Sequence, residues 1–173
     1  SAYSRSEGLR SMSTAQVHAG LEGIVAAATR LSSVDGEAGQ LVIAGYPVEE
    51  LAPNATFEEV VFLLFNDRLP NAAELDALRA DLAARRELPE ATQAILVTAA
   101  AQNTPQMDAL RIAVGTLGMG ASGAESTSQD LALTLIAQVA TIVATYARLV
   151  SGNQPIAPDT TLSHTANYLW MLT

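Results

Sequence analysis

Residues 131–147 read LALTLIAQVATIVATYA, seventeen positions without a charge, a proline or a glycine, fenced by Asp130 and Arg148. A soluble helix ordinarily carries one apolar stripe and one polar face. Here Leu131, Leu133, Leu135, Ile136, Val139, Ile142 and Val143 point all round the axis, so the helix has to be covered on more than one side. Ser126 followed by Gln129 supplies a capping-box start. Asp130 then falls in the first turn and Arg148 in the last, each at the end that the helix dipole favours. A membrane span needs about 20 apolar residues. This run is shorter and carries Thr134, Gln138, Thr141 and Thr145, so the expectation is a buried or interface helix of an α-rich protein with no membrane contact.

Composition agrees with a folded, helical chain. Of the 173 residues 49% are hydrophobic and only 16% charged, which excludes disorder and fits one core. Ala and Leu are abundant and strand formers modest. The net charge is −9 and all nine basic residues are Arg, which argues against nucleic-acid partners and anionic membrane surfaces. The absence of Cys excludes disulfides, thiolate chemistry and Cys-ligated metals. The first ten residues contain no apolar stretch of the signal-peptide kind, and a cytoplasmic location is expected.

Along the chain, residues 13–20 are compatible with a short helix. Gly23–Leu31 and Gln40–Ala44 are the strand-like runs, and the turn-rich Asp35-Gly36-Glu37-Ala38-Gly39 between them predicts a small β-hairpin. The acidic turn lacks the ligand spacing and terminal Glu of a calcium loop. Thr56 and Glu59 form a capping box before a helix whose Phe57, Val60, Val61, Leu64 and Phe65 fall on one face. Asn71 and Glu74 start the next helix, with Leu75, Leu78 and Leu82 on one side, an Asp81–Arg85 pair on the other, and Leu88-Pro89 as its end. A weakly amphipathic helix follows over Glu90–Gln102. Then comes QMDALRIAVGTLGMG, with Met107, Leu110, Val114 and Leu117 on one side and Gly115 and Gly118 suggesting close backbone approach. Ser163 caps a last helix, HTANYLWMLT, whose apolar end has no stop signal and suggests that the chain is cut there.

Candidate chemistry is sparse. Gly118 to Gly123 matches GxGxxG, but a dinucleotide site needs a strand before the glycines and a helix opening at the third, whereas a helix precedes these and a Ser/Thr loop follows. Glu49-Glu50 and Glu58-Glu59 sit in first turns, where carboxylates are favoured. Adjacent helical residues also project about 100° apart, so neither pair converges on a substrate. His18 and His164 lack partners at metal-ligand spacing and read as surface or cap residues. The residues themselves assign no catalytic, cofactor-binding or metal-ligating position to this chain.

An ordered set of segments carries the reading further. GLEGIVAAATRLSSVDGEAGQLVIAGYPVEEL, FEEVVFLLFNDRLPNAAEL, MDALRIAV, LIAQVATIVATYARL and LSHTANYLWML together resemble the N-terminal part of citrate synthase, including the related 2-methylcitrate synthases. The resemblance covers residues 21 to 172 and leaves 1–20 as a separate N-terminal segment. Two positions depart from the family pattern: Ala44 stands where an Arg usually precedes the Gly-Tyr pair, and Pro105-Gln106 stands where the family has His-Pro.

The resemblance implies a mainly α, multi-helical large-domain portion with a small N-terminal β-hairpin. It implies a parent enzyme that condenses acetyl-CoA with oxaloacetate to citrate and CoA, without a metal or redox cofactor. In that chemistry an Asp removes a methyl proton, one His stabilises the enol, a second polarises the keto acid and arginines hold its carboxylates. The family's His-x-Asp-His-type motif begins after the point matching Met171-Leu172, and His164 matches no catalytic position. This chain alone is therefore expected to be inactive. The helices near 106–119 and 127–150 match those that pair antiparallel across the family's dimer interface, which implies a homodimer. Two alternatives stay open: a non-catalytic interaction or regulatory module, and one subunit of a split enzyme.

Overall fold

A computed structural model describes residues 29–119 and 127–173. The short helix over 13–20, His18, most of the run from Gly23, Ser126 and the glycines at 120 and 123 lie outside the described residues.

Among the described residues three short strands come first: β1 (Ser32–Asp35), β2 (Gln40–Ile43) and β3 (Tyr46–Pro47), in an antiparallel sheet of order β1-β2-β3. The expected hairpin is present, with a third strand added and with β1 at 32–35; of the strand-like run 23–31 only residues 29–31 are described, and they precede the strand. The turn sets this register. Asp35 Oδ1 accepts the backbone N–H groups of Glu37 and Ala38 at 3.0 and 2.9 Å, so Asp35 and Gln40 close the loop as a pair.

Seven helices follow among the described residues: α1 (Val48–Asn54), α2 (Phe57–Asn66), α3 (Ala72–Ala84), α4 (Glu90–Ala101), α5 (Gln106–Thr116), α6 (Ser128–Val150) and α7 (His164–Leu172). The mainly α architecture with a small sheet near its start is as the sequence implies. Thr56–Glu59 and Asn71–Glu74 form the expected capping boxes. The start of α6 differs by one residue: Thr127 is the cap and Asp130 its partner, with Thr127 Oγ1 accepting the Asp130 N–H at 3.1 Å and Asp130 Oδ2 accepting the Thr127 N–H at 3.2 Å. A carboxylate at the third helical position also gains from the dipole, an advantage that the Gln129 amide lacks. Arg148 lies in the last turn, and its Nε donates to the Gln154 carbonyl at 2.6 Å.

The long helix α6 is the shared wall of two small cores. Its first half packs Leu133 and Ala137 against Val61 of α2 and Leu82 of α3. Its second half packs Ile142 and Tyr146 against Leu96 and Ala99 of α4 and Ala109 and Ala113 of α5. Two cores on different flanks explain an apolar surface that runs round the axis. By length and composition α6 could cross a bilayer, but 44% of its most apolar window is buried inside the fold, and α3, α4, α5 and α7 all pack on it. Polar contacts at its margins are met by partners. Arg85 binds Asp81 Oδ1 at 2.6 Å, Asp130 Oδ1 at 3.2 Å and Thr134 Oγ1 at 3.1 Å, tying the end of α3 to the start of α6. The Tyr146 hydroxyl donates to the Thr104 carbonyl.

Several faces are rotated from their sequence assignment. In α2, Phe57 is half-exposed while Glu58, Val61 and Leu63 are buried, because α7 brings polar groups to Glu58. In α5, Met107 is 73% exposed and the small Ala109 and Ala113 face the core, which lets α5 lie close on α4 and α6. The backbone near Gly115 and Gly118 meets nothing within 4 Å of a built Cβ, so these glycines serve no close approach within the described residues. The third helix ends at Ala84, before the expected Leu88-Pro89, because Arg85 and Arg86 are drawn into separate tertiary contacts.

Candidate functional site

The polar side chains with chemical potential collect where α2, the 85–89 connector, the extended 155–163 segment and α7 meet. Glu58 is 3% exposed, Arg86 2% and His164 8%. Glu58 Oε1 accepts the backbone N–H of His164 at 2.8 Å, which supplies a negative group at the positive end of α7 beside its Ser163 cap. Arg86 donates through Nη2 to the Leu162 carbonyl at 2.9 Å and through Nη1 to the Asp159 carbonyl. Asn167 Oδ1 accepts the Asp159 N–H at 2.8 Å. Glu58, Arg79, Arg86, Thr160, Thr161 and Ser163 enclose a polar cavity of about 260 Å³.

The electrostatics of this knot are structural. Burial pulls Arg86 below the usual guanidinium range, against the attraction of Glu58 and Asp159. The Thr161 hydroxyl and then its backbone N–H hold the Asp159 carboxyl below the usual range. Burial first, then the Arg86 charge, hold His164 below its ordinary value, with Glu58 opposing. The His164 ring stacks on Phe57, centroids 4.6 Å apart and planes 10° apart, and its Nδ1 is buried without a hydrogen-bond partner among the described residues.

His164 thus stands in the first turn of α7, where the sequence places it, but as a buried residue and not a surface one. Sequence reasoning treats Glu58 as a dipole carboxylate and leaves Arg86 and Asn167 unmentioned. No local pattern marks them, since their partners lie 106, 76 and 8 residues away along the chain. The knot can hold four chain segments in register. Glu58, both terminal nitrogens of Arg86 and the Asn167 carbonyl oxygen each bind a backbone group. Of the GxGxxG stretch, Gly118 and Met119 follow α5 directly, so a helix and not a strand leads into it.

Beside the knot runs an apolar groove of about 610 Å³ lined by Phe57, Leu135, Val139, Val143, His164 and Tyr168. A smaller hollow of about 170 Å³ continues past Val143 to Met107, Leu110, Tyr146 and Ala147 on the α5 side. Leu135, Val139 and Val143 recur every four residues along one face of α6, so the two hollows share one helical stripe.

A helical fold in which one long apolar helix divides two cores, with a small antiparallel sheet ahead of it, defines a distinct class of α protein. The family model described as the citrate synthase C-terminal domain matches residues 20–173. The citrate synthase of Haloferax volcanii is 38% identical over 160 residues, covering 88% of this chain and 42% of that relative. The citrate/2-methylcitrate synthase of Bacillus subtilis is 31% identical over 158 residues, covering 89% of this chain and 42% of that relative. The crystal structure of citrate synthase from Pyrobaculum aerophilum superposes with a TM-score of 0.77 at 32% identity, over 88% of this chain and 41% of that one. The chain belongs to the citrate synthase family. It spans about 42% of the length of the curated relatives it matches.

Proposed function

We propose that this chain is the N-terminal part of an acyltransferase that condenses acetyl-CoA with oxaloacetate to give citrate and CoA, and that it does not turn these substrates over alone. The family match across residues 20–173 carries the reading and supports treating 21–173 as one partial domain after an N-terminal segment. The chemistry needs a base at the thioester methyl and preorganised donors at the developing enolate and keto oxygen. Among the described titratable groups, Glu58, Arg86 and His164 are buried, the first two bound to backbone groups and the His164 ring stacked on Phe57. On this reading catalytic residues, acetyl-CoA contacts and keto-acid contacts come from the remainder of the protein, and neither a metal nor a redox cofactor takes part.

The same reading makes the protein a homodimer through α5 and α6. The apolar stripe of α6 and the exposed Met107 support it, because a second copy would cover surface that this chain leaves open. A packed α6 with polar side chains tied to neighbouring segments also supports a cytoplasmic enzyme over a membrane-bound one. The deciding assay follows CoA release from acetyl-CoA, and separately from propionyl-CoA, in the presence of oxaloacetate. The 173-residue chain is expected to give none above the blank, and the product of the reading frame extended past Thr173 to give turnover. Turnover by the short chain overturns the proposed division of labour.

A further inference from the structure

Two contacts of His164 join α7 to α2. Its ring lies flat on Phe57 at 4.6 Å, and its backbone N–H is bound by Glu58 at 2.8 Å. Its Nδ1 is buried with no hydrogen-bond partner among the described residues. A neutral imidazole carrying its hydrogen on Nε2 leaves Nδ1 as an empty acceptor, which a dry site tolerates. An imidazolium carries a hydrogen on both nitrogens, so an incoming proton must settle on Nδ1, where no acceptor waits. A buried N–H without an acceptor, and a charge in an apolar stack, both disfavour the closed arrangement.

The surrounding charges do not reverse this. From α2, Glu58 attracts an imidazolium, but the oxygen nearest His164 already holds a backbone N–H. From the 85–89 connector Arg86 repels it, and Arg79 of α3 adds a second cation at the same cavity. Asp159 of the extended segment is bound to Thr161 and offsets Arg86. The face that α6 presents, Leu135, Val139 and Val143, carries no charge, and from α7 itself the phenol of Tyr168 lines the same groove. The Phe57 face favours a cation only weakly.

We propose that His164 is the titrating element of an acid-sensitive clasp, which holds the start of α7 on α2 when neutral and releases it when protonated. Neither apolar core on α6 includes a residue of α7, so α2, α3, α4 and α5 keep their packing around α6 while the start of α7 moves and the groove beside Phe57 opens. The clasp is independent of the proposed enzymatic role.

Trp170, the sole tryptophan, lies on α7 and reports the release. Its emission in the 173-residue chain is followed from about pH 8 to about pH 5 alongside far-UV circular dichroism, a range that brackets imidazole titration. The expected result is a reversible emission shift with most helix retained and a midpoint below the ordinary 6.5. The shift should vanish in His164→Phe, which keeps the stack but cannot titrate. A flat parent profile, or the same transition in His164→Phe, overturns the proposal. A His18→Gln chain retains a single imidazole, so nitrogen-15 NMR reads it directly. An Nε2–H tautomer titrating below 6.5 is expected; an Nδ1–H tautomer, or a midpoint at or above 6.5, also overturns it.

Discussion

Arg86 donates from Nη2 to the carbonyl of Leu162 at 2.9 Å, across 76 residues of chain. Its other terminal nitrogen serves the Asp159 carbonyl, and its own carbonyl accepts the Thr141 hydroxyl at 2.9 Å. One residue thereby fixes the extended 155–163 segment to the connector and the connector to α6. Arg86→Met would fill similar volume but leave two carbonyls without donors in a buried site. The expected loss is about 3 kcal/mol, in the range for breaking a buried, charge-assisted network. Arg86→Lys should recover less than half of it, since one ammonium cannot reproduce the planar fork. Urea unfolding at neutral pH measures both variants. Stability within about 0.5 kcal/mol of the parent for the Met variant would show that the segment is held by other means.

Acid should weaken the fold in a defined window. Arg68 hydrogen bonds first, then the Asn71 backbone N–H, hold Glu74 at about 2, against an ordinary 4.5. Glu59 and Asp130 are likewise lowered, Glu59 by the Thr56 backbone and side chain and Asp130 by the Thr127 side chain and backbone. A carboxyl whose folded value is depressed binds fewer protons when native, so its stabilisation is complete above the unfolded value and lost as pH falls through the folded one. For Glu74 that window runs from 4.5 down to about 2. The urea midpoint should fall steadily across this range, and Glu74→Gln should flatten part of the slope while lowering the midpoint at neutral pH. An unchanged slope in the variant would remove Glu74 from the account.

What could be read in advance depended on how local each cause is. The capping boxes at Thr56 and Asn71 are complete within four residues, and both are present as written. The apolar run 131–147 announced a helix that needs several neighbours, because hydrophobicity on every side is a property of the segment itself. Which face turns inward was less legible. Phe57 and Met107 are large and apolar yet exposed, while Glu58, Ala109 and Ala113 are buried, since the choice is made by partners far along the chain. The His164–Phe57 stack and the Arg86–Leu162 bond belong to the same kind: nothing near either residue encodes the contact. The family resemblance reached the architecture as a whole where periodicity could not, because it draws on ordered segments and not on any one of them.

Self-association can be tested on the α6 stripe. Leu135 is 40% exposed on the groove side, and Met107 opens the hollow that continues it past Val143. Leu135→Asp and Met107→Asp should each weaken the proposed dimer at least about tenfold, the effect of losing roughly 1.4 kcal/mol of contact. Val34→Asp, on the exposed strand β1, should leave it unchanged and serve as the control. Sedimentation velocity over a concentration series reads the shift. A parent chain that sediments as a monomer at every concentration, or variants that match Val34→Asp, would remove α5 and α6 from the interface.

The turn between β2 and β3 offers a change in the opposite direction. Ile43 pairs with Tyr46, leaving Ala44 and Gly45 as a two-residue loop, and their φ angles are 46° and 90°. Left-handed φ at both central positions is the type I′ arrangement, which suits the twist of a hairpin and favours Asn-Gly. Ala44 pays for its Cβ there, whereas Asn tolerates the conformation and Gly avoids the clash. Ala44→Asn should therefore raise stability by about 0.5–1 kcal/mol and Ala44→Val lower it by at least about 1 kcal/mol. Thermal unfolding of the two variants gives opposite shifts if the loop has this geometry. The order Asn above Ala above Val is specific to positive φ, because in an extended strand, where β-branched residues are preferred, Val would rank first.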